Sequence, residues 1–148
     1  MIKSSNNKAL LIYSGYNERA VISFIRFIDN CSINYGIVAS SPVDSIFSTL
    51  YAEKVIFTRR SKDLNIYEFN QIAHTACSKL DVNSVVIAPS TEGLNRWLIE
   101  NRAILEDSGN VEIPLVSKDI YTLLSDKLSF SQLVSSRGLT VPREMSFA

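Results

Sequence analysis

Glycine is scarce, with five in 148 residues, and that shortage excludes much. A dinucleotide-binding fingerprint needs three glycines after a strand, for the tight turn, the approach of the pyrophosphate and close helix packing. The segment Ser14-Gly15-Tyr16-Asn17-Glu18 occupies the usual phosphate-loop position but holds one glycine. No GxxxxGK[ST] loop occurs anywhere. Two cysteines, Cys31 and Cys77, make neither a CxxC pair nor a disulfide framework. They read as free thiols, which fits a reducing cytoplasm. The single histidine, His74, has no Cys, His or carboxylate partner at ligand spacing, so no metal site is expected. No Ser/His/Asp or Cys/His set can be assembled. No apolar run approaches the roughly 20 residues of a membrane span, and residues 1–8 are too polar for a signal peptide. Neither sign of charge dominates: 15 basic residues balance 15 acidic ones. The chain therefore has no overall field for nucleic acid or anionic lipid. The short cluster Arg59, Arg60 and Lys62 reads as a solvated turn.

What is present is ordinary globular material, 46% hydrophobic and 20% charged. Apolar runs alternate with helical patterns along most of the chain. Residues 9–13 form a nearly continuous apolar run, as expected of a strand covered on both faces. A turn leads into a helix over 18–30, with Val21, Phe24, Ile25 and Ile28 as its core stripe. Further strands are expected at 36–39, 54–57, 84–88 and 111–115. Helices are expected at 66–80, with Phe69, Ile72, Ala73, Ala76, Cys77 and Leu80 inward, and from Leu94 through Trp97, Leu98 and Leu105. Asp44 would cap a short helix reaching Tyr51. Pro114 cannot donate a ladder hydrogen bond, so the fifth strand belongs at an edge.

Such alternation predicts an α/β fold, a Rossmann-like parallel sheet of four to five strands flanked by helices, with right-handed crossovers. Ligands in such sheets bind beyond the carboxyl ends of the strands, where the strand order switches. Residues 14–18, 40–44 and 89–95 fall there. Glu18 either complements the dipole of its helix or binds an ammonium group. Ser90 or Thr91 caps the next helix, and Glu92 beside them either faces solvent or touches substrate. After Leu115 the rhythm changes to two helical segments, 118–124 and 126–137, with no strand between. The expected division is 1–117 and 118–148.

The end of the chain carries a second pattern: Asp126-Lys127, a helix with Leu128, Phe130, Leu133 and Val134, then Gly138 and Val141-Pro142. Asp126 is a good N-cap, Gly138 suits a left-handed helix end, and a strand would begin over 143–147. Lys127 in a first helical turn is electrostatically misplaced unless an anion comes to it. With Pro89-Ser90-Thr91-Glu92, this order of motifs resembles the ATP-grasp superfamily of carboxylate–amine ligases, in its carbamoyl-phosphate-synthase-like members. The resemblance covers nearly the whole chain and implies that 1–117 is a pre-ATP-grasp domain, with 118–148 the start of an ATP-grasp domain. It further implies that Lys127 contacts ATP phosphate, and that Glu18 and Glu92 belong to the wall of the substrate cleft. ATP and Mg2+ would serve the full-length parent, whose acidic and amide metal ligands lie further on. The fragment alone would then hold no cofactor and no catalytic residue. Its partners would be the ATP-grasp domain of the same parent, a small carboxylate and its nucleophile. An apolar surface around Phe130, Val141 and Phe147 would favour a homodimer. The rival reading is a free-standing Rossmann-like module for a small ligand or a protein.

Overall fold

In the computed structural model, which describes residues 7–140, the chain forms two compact units, Met1–Pro114 and Leu115–Ala148. The first unit is built on five strands: β1 (Lys8–Tyr13), β2 (Tyr35–Ala39), β3 (Val55–Thr58), β4 (Ser84–Ala88) and β5 (Val111–Glu112). All pairings are parallel and the order is β3-β2-β1-β4-β5. Helices α1 (Glu18–Asn30), α2 (Ile66–Leu80) and α3 (Glu92–Glu106) make the crossovers after β1, β3 and β4. The expected Rossmann-like α/β architecture is therefore present. The order switches at β1: the chain runs outward to β2 and β3, then returns to β4 and β5 on the other side.

Side chains alternate across each strand, so successive residues of β1 serve different layers. Ile12 joins Ile37 and Ala39 of β2 against Val21, Ile25 and Ile28 of α1. Each isoleucine of that set is at most 1% exposed, and such burial stabilises by about 1.5–3 kcal/mol per side chain. Tyr13 points the other way and stacks on Phe69 of α2, with ring centres 6.1 Å apart. Phe69 in turn meets Trp97 of α3 at 5.4 Å. The two layers thus share β1 as their spine.

Several local expectations need correction. Residues 44–51 do not form one helix but a 3₁₀ turn over Ser45–Ser48, followed by another over Ala52–Lys54. Asp44 does cap the first, accepting from the Ile46 N–H at 3.0 Å. Thr49 then breaks the ladder: its hydroxyl donates to the Ile46 carbonyl and accepts from the Tyr51 N–H. The fifth strand stops at Glu112 because the Ile113 N–H donates to Glu106 Oε1 at 2.7 Å, and Pro114 has no donor to offer. Phe24 is no core residue: Val21, Ile25 and Ile28 fill the stripe, and Phe24 remains 39% exposed.

The second unit contains α4 (Lys118–Ser125) and α5 (Lys127–Ser136), which pack on each other. Asp126 alone separates them, capping α5 by accepting the Ser129 N–H at 2.7 Å. Gly138 adopts φ +79°, the left-handed helix end expected of it. The expected α5 stripe is only partly realised, since Leu128 and Phe130 remain exposed. Val141, Pro142, Phe147 and the strand expected over 143–147 lie outside the described residues. Among the described residues no helix is long and apolar enough to cross a membrane.

Candidate functional site

The carboxyl edge of the sheet has two sides, one on each flank of β1. On the β2 side the loop after β1 closes upon a carboxylate from within the chain. Asp44 Oδ2 accepts from the Ser14 hydroxyl at 2.8 Å, from the Ser40 N–H at 2.7 Å and from the Ser40 hydroxyl at 2.7 Å. Burial alone would raise the Asp44 pKa, but these donors and the Ile46 N–H outweigh it and hold the carboxyl below the ordinary 3.8. Gly15 makes the closure fit. Its φ is +90°, and a Cβ there would stand 2.1 Å from Ser40 Oγ and 2.3 Å from Ser40 Cβ. The Ser14 and Ser40 hydroxyls and the Ser40 N–H are thus taken by Asp44, whose charge repels an incoming phosphate.

On the β4 side the edge is open. A crevice of about 590 Å³ is lined by Tyr16 after β1, Lys62 before α2, Thr91, Gly93 and Leu94 at the start of α3, and Trp97. Thr91 caps α3, its hydroxyl oxygen accepting the Leu94 N–H at 3.2 Å. Gly93 meets no atom within 4 Å of where a Cβ would stand.

Behind this crevice lies a buried ionic group that the sequence reading missed. Arg59, assigned above to a solvated turn, is 3% exposed. Its Nη2 donates to the Lys62 carbonyl at 2.7 Å, its Nη1 donates to the Tyr16 hydroxyl, and its Nε stands 4.0 Å from Glu68 Oε2. Glu68, itself 7% exposed, also accepts the Arg60 N–H at 2.7 Å. A buried charge without such partners would be strongly unfavourable. Tyr13 lies nearby, and burial pushes its hydroxyl far above the usual tyrosine range; Arg59 opposes that shift, whereas Glu68 and Tyr16 add to it. One local signal was available. Asn65 and Glu68 have capping-box spacing, and Asn65 Oδ1 does accept the Glu68 N–H at 2.8 Å. The Glu68 carboxylate, however, reaches back to the end of β3 instead of to its own cap.

A second hollow, of about 450 Å³, lies between α1 and the sheet, bounded by Leu10, Ile12, Phe24, Val86, Ala88 and Pro114. It explains the exposure of Phe24. Val85 and Ile87 of β4 are fully buried, while Val86 and Ala88 on the opposite face are only partly covered. Ser90 Oγ at its border is buried without a hydrogen-bond partner.

Glu18, Glu92 and Lys127, singled out from sequence, each stand in the first turn of a helix. Glu18 is exposed in the first turn of α1, whose N-cap Asn17 makes no side-chain cap bond. Glu92 is exposed in the first turn of α3 and bonds Arg96 one turn on at 2.7 Å. Lys127 is exposed as the first residue of α5, in the second unit. His74 is exposed, both cysteines are free thiols, and burial raises the Cys77 pKa. Among the described residues no group of three or more His, Cys, Asp or Glu could hold a metal ion. Comparison with protein-family models, with curated proteins and with solved structures finds no match.

Proposed function

We propose that this chain is the N-terminal, substrate-cleft part of a cytoplasmic ATP-dependent carboxylate–amine ligase that works through an acyl-phosphate. The observation that carries this reading is the second unit, in which Asp126 caps α5, Lys127 is its first residue and Gly138 ends the segment left-handed. A cation at a helix N-terminus opposes the helix dipole, and it becomes favourable when a phosphate joins it there. Lys127 is thus suited to one ATP phosphate. The Mg2+ ligands, in this reading, lie in the rest of the parent chain. In this reading the parallel sheet forms a wall of the cleft, with Glu18 and Glu92 at its rim.

The test uses the product of the complete reading frame. ADP release with a carboxylate and an amine is expected to fall about 10- to 100-fold in Lys127→Ala, the loss of a charge-assisted phosphate contact. An unchanged ATP affinity in that variant would defeat the role given to Lys127. Calorimetry on the 148-residue chain should detect little ATP binding; micromolar binding would favour a free-standing small-ligand module. The open crevice beside β4 favours that second reading as much as the first.

A further inference from the structure

The geometry points to a binding site for a planar aromatic small molecule in the crevice at the β1–β4 switch, between the rings of Tyr16 and Trp97. Both rings line it, and each is fixed from behind. Trp97 leans on Phe69 at 5.4 Å, and Phe69 is stacked on the buried Tyr13. Tyr16 is held by its hydroxyl to Arg59, has no ring neighbour among the described residues, and is 49% exposed. Arg59 also bonds the Lys62 carbonyl, so one buried guanidinium fixes two walls of the same crevice. Burying a guanidinium is costly, and an ordinary surface turn does not require it. Its effect is to immobilise an aromatic side chain that remains open to solvent. Walls immobilised beforehand lose little entropy when a ligand enters.

The lining narrows the ligand class. Lys62 and Asp63 both border the crevice with opposite charges, so no net charge there selects an anion or a cation. The volume of about 590 Å³ is within the range of small-molecule pockets. Gly93 leaves the start of α3 unobstructed, so a flat ring can approach the helix backbone. Recognition therefore falls to the two aromatic faces, and the ligand is a ring system of one or two fused planar rings. The inference rests on the first unit alone and uses neither Lys127 nor ATP, so it and the ligase reading fail separately.

The chain has one tryptophan, so its indole N–H gives a single resonance that belongs to Trp97. Titration of the ¹⁵N-labelled 148-residue protein with indole should shift that resonance and the Gly93 amide saturably. Adenine tests the purine class in the same way. Phenol against cyclohexanol separates planarity from size, and only phenol should shift the pair. Tyr16→Ala should weaken binding about tenfold, as loss of a stacking ring does. Tyr16→Phe, which keeps the ring but frees it from Arg59, should weaken binding less than Tyr16→Ala does. The proposal is overturned if neither indole nor adenine gives a saturable shift. It is equally overturned if cyclohexanol matches phenol, or if Tyr16→Ala, with the rest of its spectrum native, binds as tightly as the unaltered protein.

Discussion

The β1–α1 loop and the β4–α3 turn share one edge of one sheet, yet they have opposite characters. In the first, Ser14 joins Ser40 of the loop after β2 around the Asp44 carboxylate, and Gly15 presses against Ser40. The second caps its helix with Thr91, leaves Gly93 unobstructed and opens into a crevice. Position at the carboxyl end of a parallel sheet is thus not sufficient for a ligand site. What differs is whether a carboxylate of the chain already fills the edge. Here Asp44 fills the β2 side, whereas on the β4 side Arg59 braces Tyr16 and Lys62.

The largest expected effect comes from forcing the closed side. Gly15→Ala puts a Cβ 2.3 Å from Ser40 Cβ at a φ of +90°, so overpacking and backbone strain combine. A loss of about 3–5 kcal/mol in urea unfolding is expected. Removing the brace of the open side comes next. Arg59→Ala leaves Glu68 buried without its guanidinium and should cost about 3 kcal/mol. It should also release Tyr16, read as sharper, more mobile ring resonances. A loss under about 1 kcal/mol would mean that the buried ionic group is not structural.

Asp44→Asn sharpens the comparison through pH. The amide cannot match a carboxylate facing four donors, so a loss of about 2 kcal/mol is expected at pH 7. The sign follows from the depressed folded pKa. The stabilisation from Asp44 is fully present above its unfolded value, taken as the ordinary 3.8, and is lost as pH falls through the lower folded value. Native protein and Asp44→Asn should therefore converge in stability as the pH is lowered below 3.8. A gap that stays constant to pH 2.5 would exclude this origin. Asp126 also has a depressed pKa, from the Ser129 hydroxyl and N–H, but it is fully exposed and common to both proteins.

Most of the architecture was legible because local patterns carry it. All five strands and the five helices fell within a few residues of their expected places, and Asp126 and Gly138 took their expected conformations. Contacts between distant residues were not legible. The hydroxyl of Ser14 meets a carboxylate 30 residues on, and nothing near Ser14 announces it. Arg59 sits in a charged stretch that resembles solvated turns generally; its burial depends on Tyr16, 43 residues earlier in the chain. Glu18 and Glu92 were chosen by position; both lie on exposed first turns, and neither is among the residues lining the crevice. The crevice lining instead includes Tyr16, Gly93 and Trp97, whose ring also packs on Phe69.

The contrast between a closed and an open side is tested most directly by the two glycines, measured side by side. Gly93 has space around it in a helix, so Gly93→Ala should raise stability in urea unfolding by up to about 1 kcal/mol. Gly15→Ala should lower it by several. Opposite signs are the predicted result, and a shared sign, with both variants destabilised or both neutral, would contradict the account.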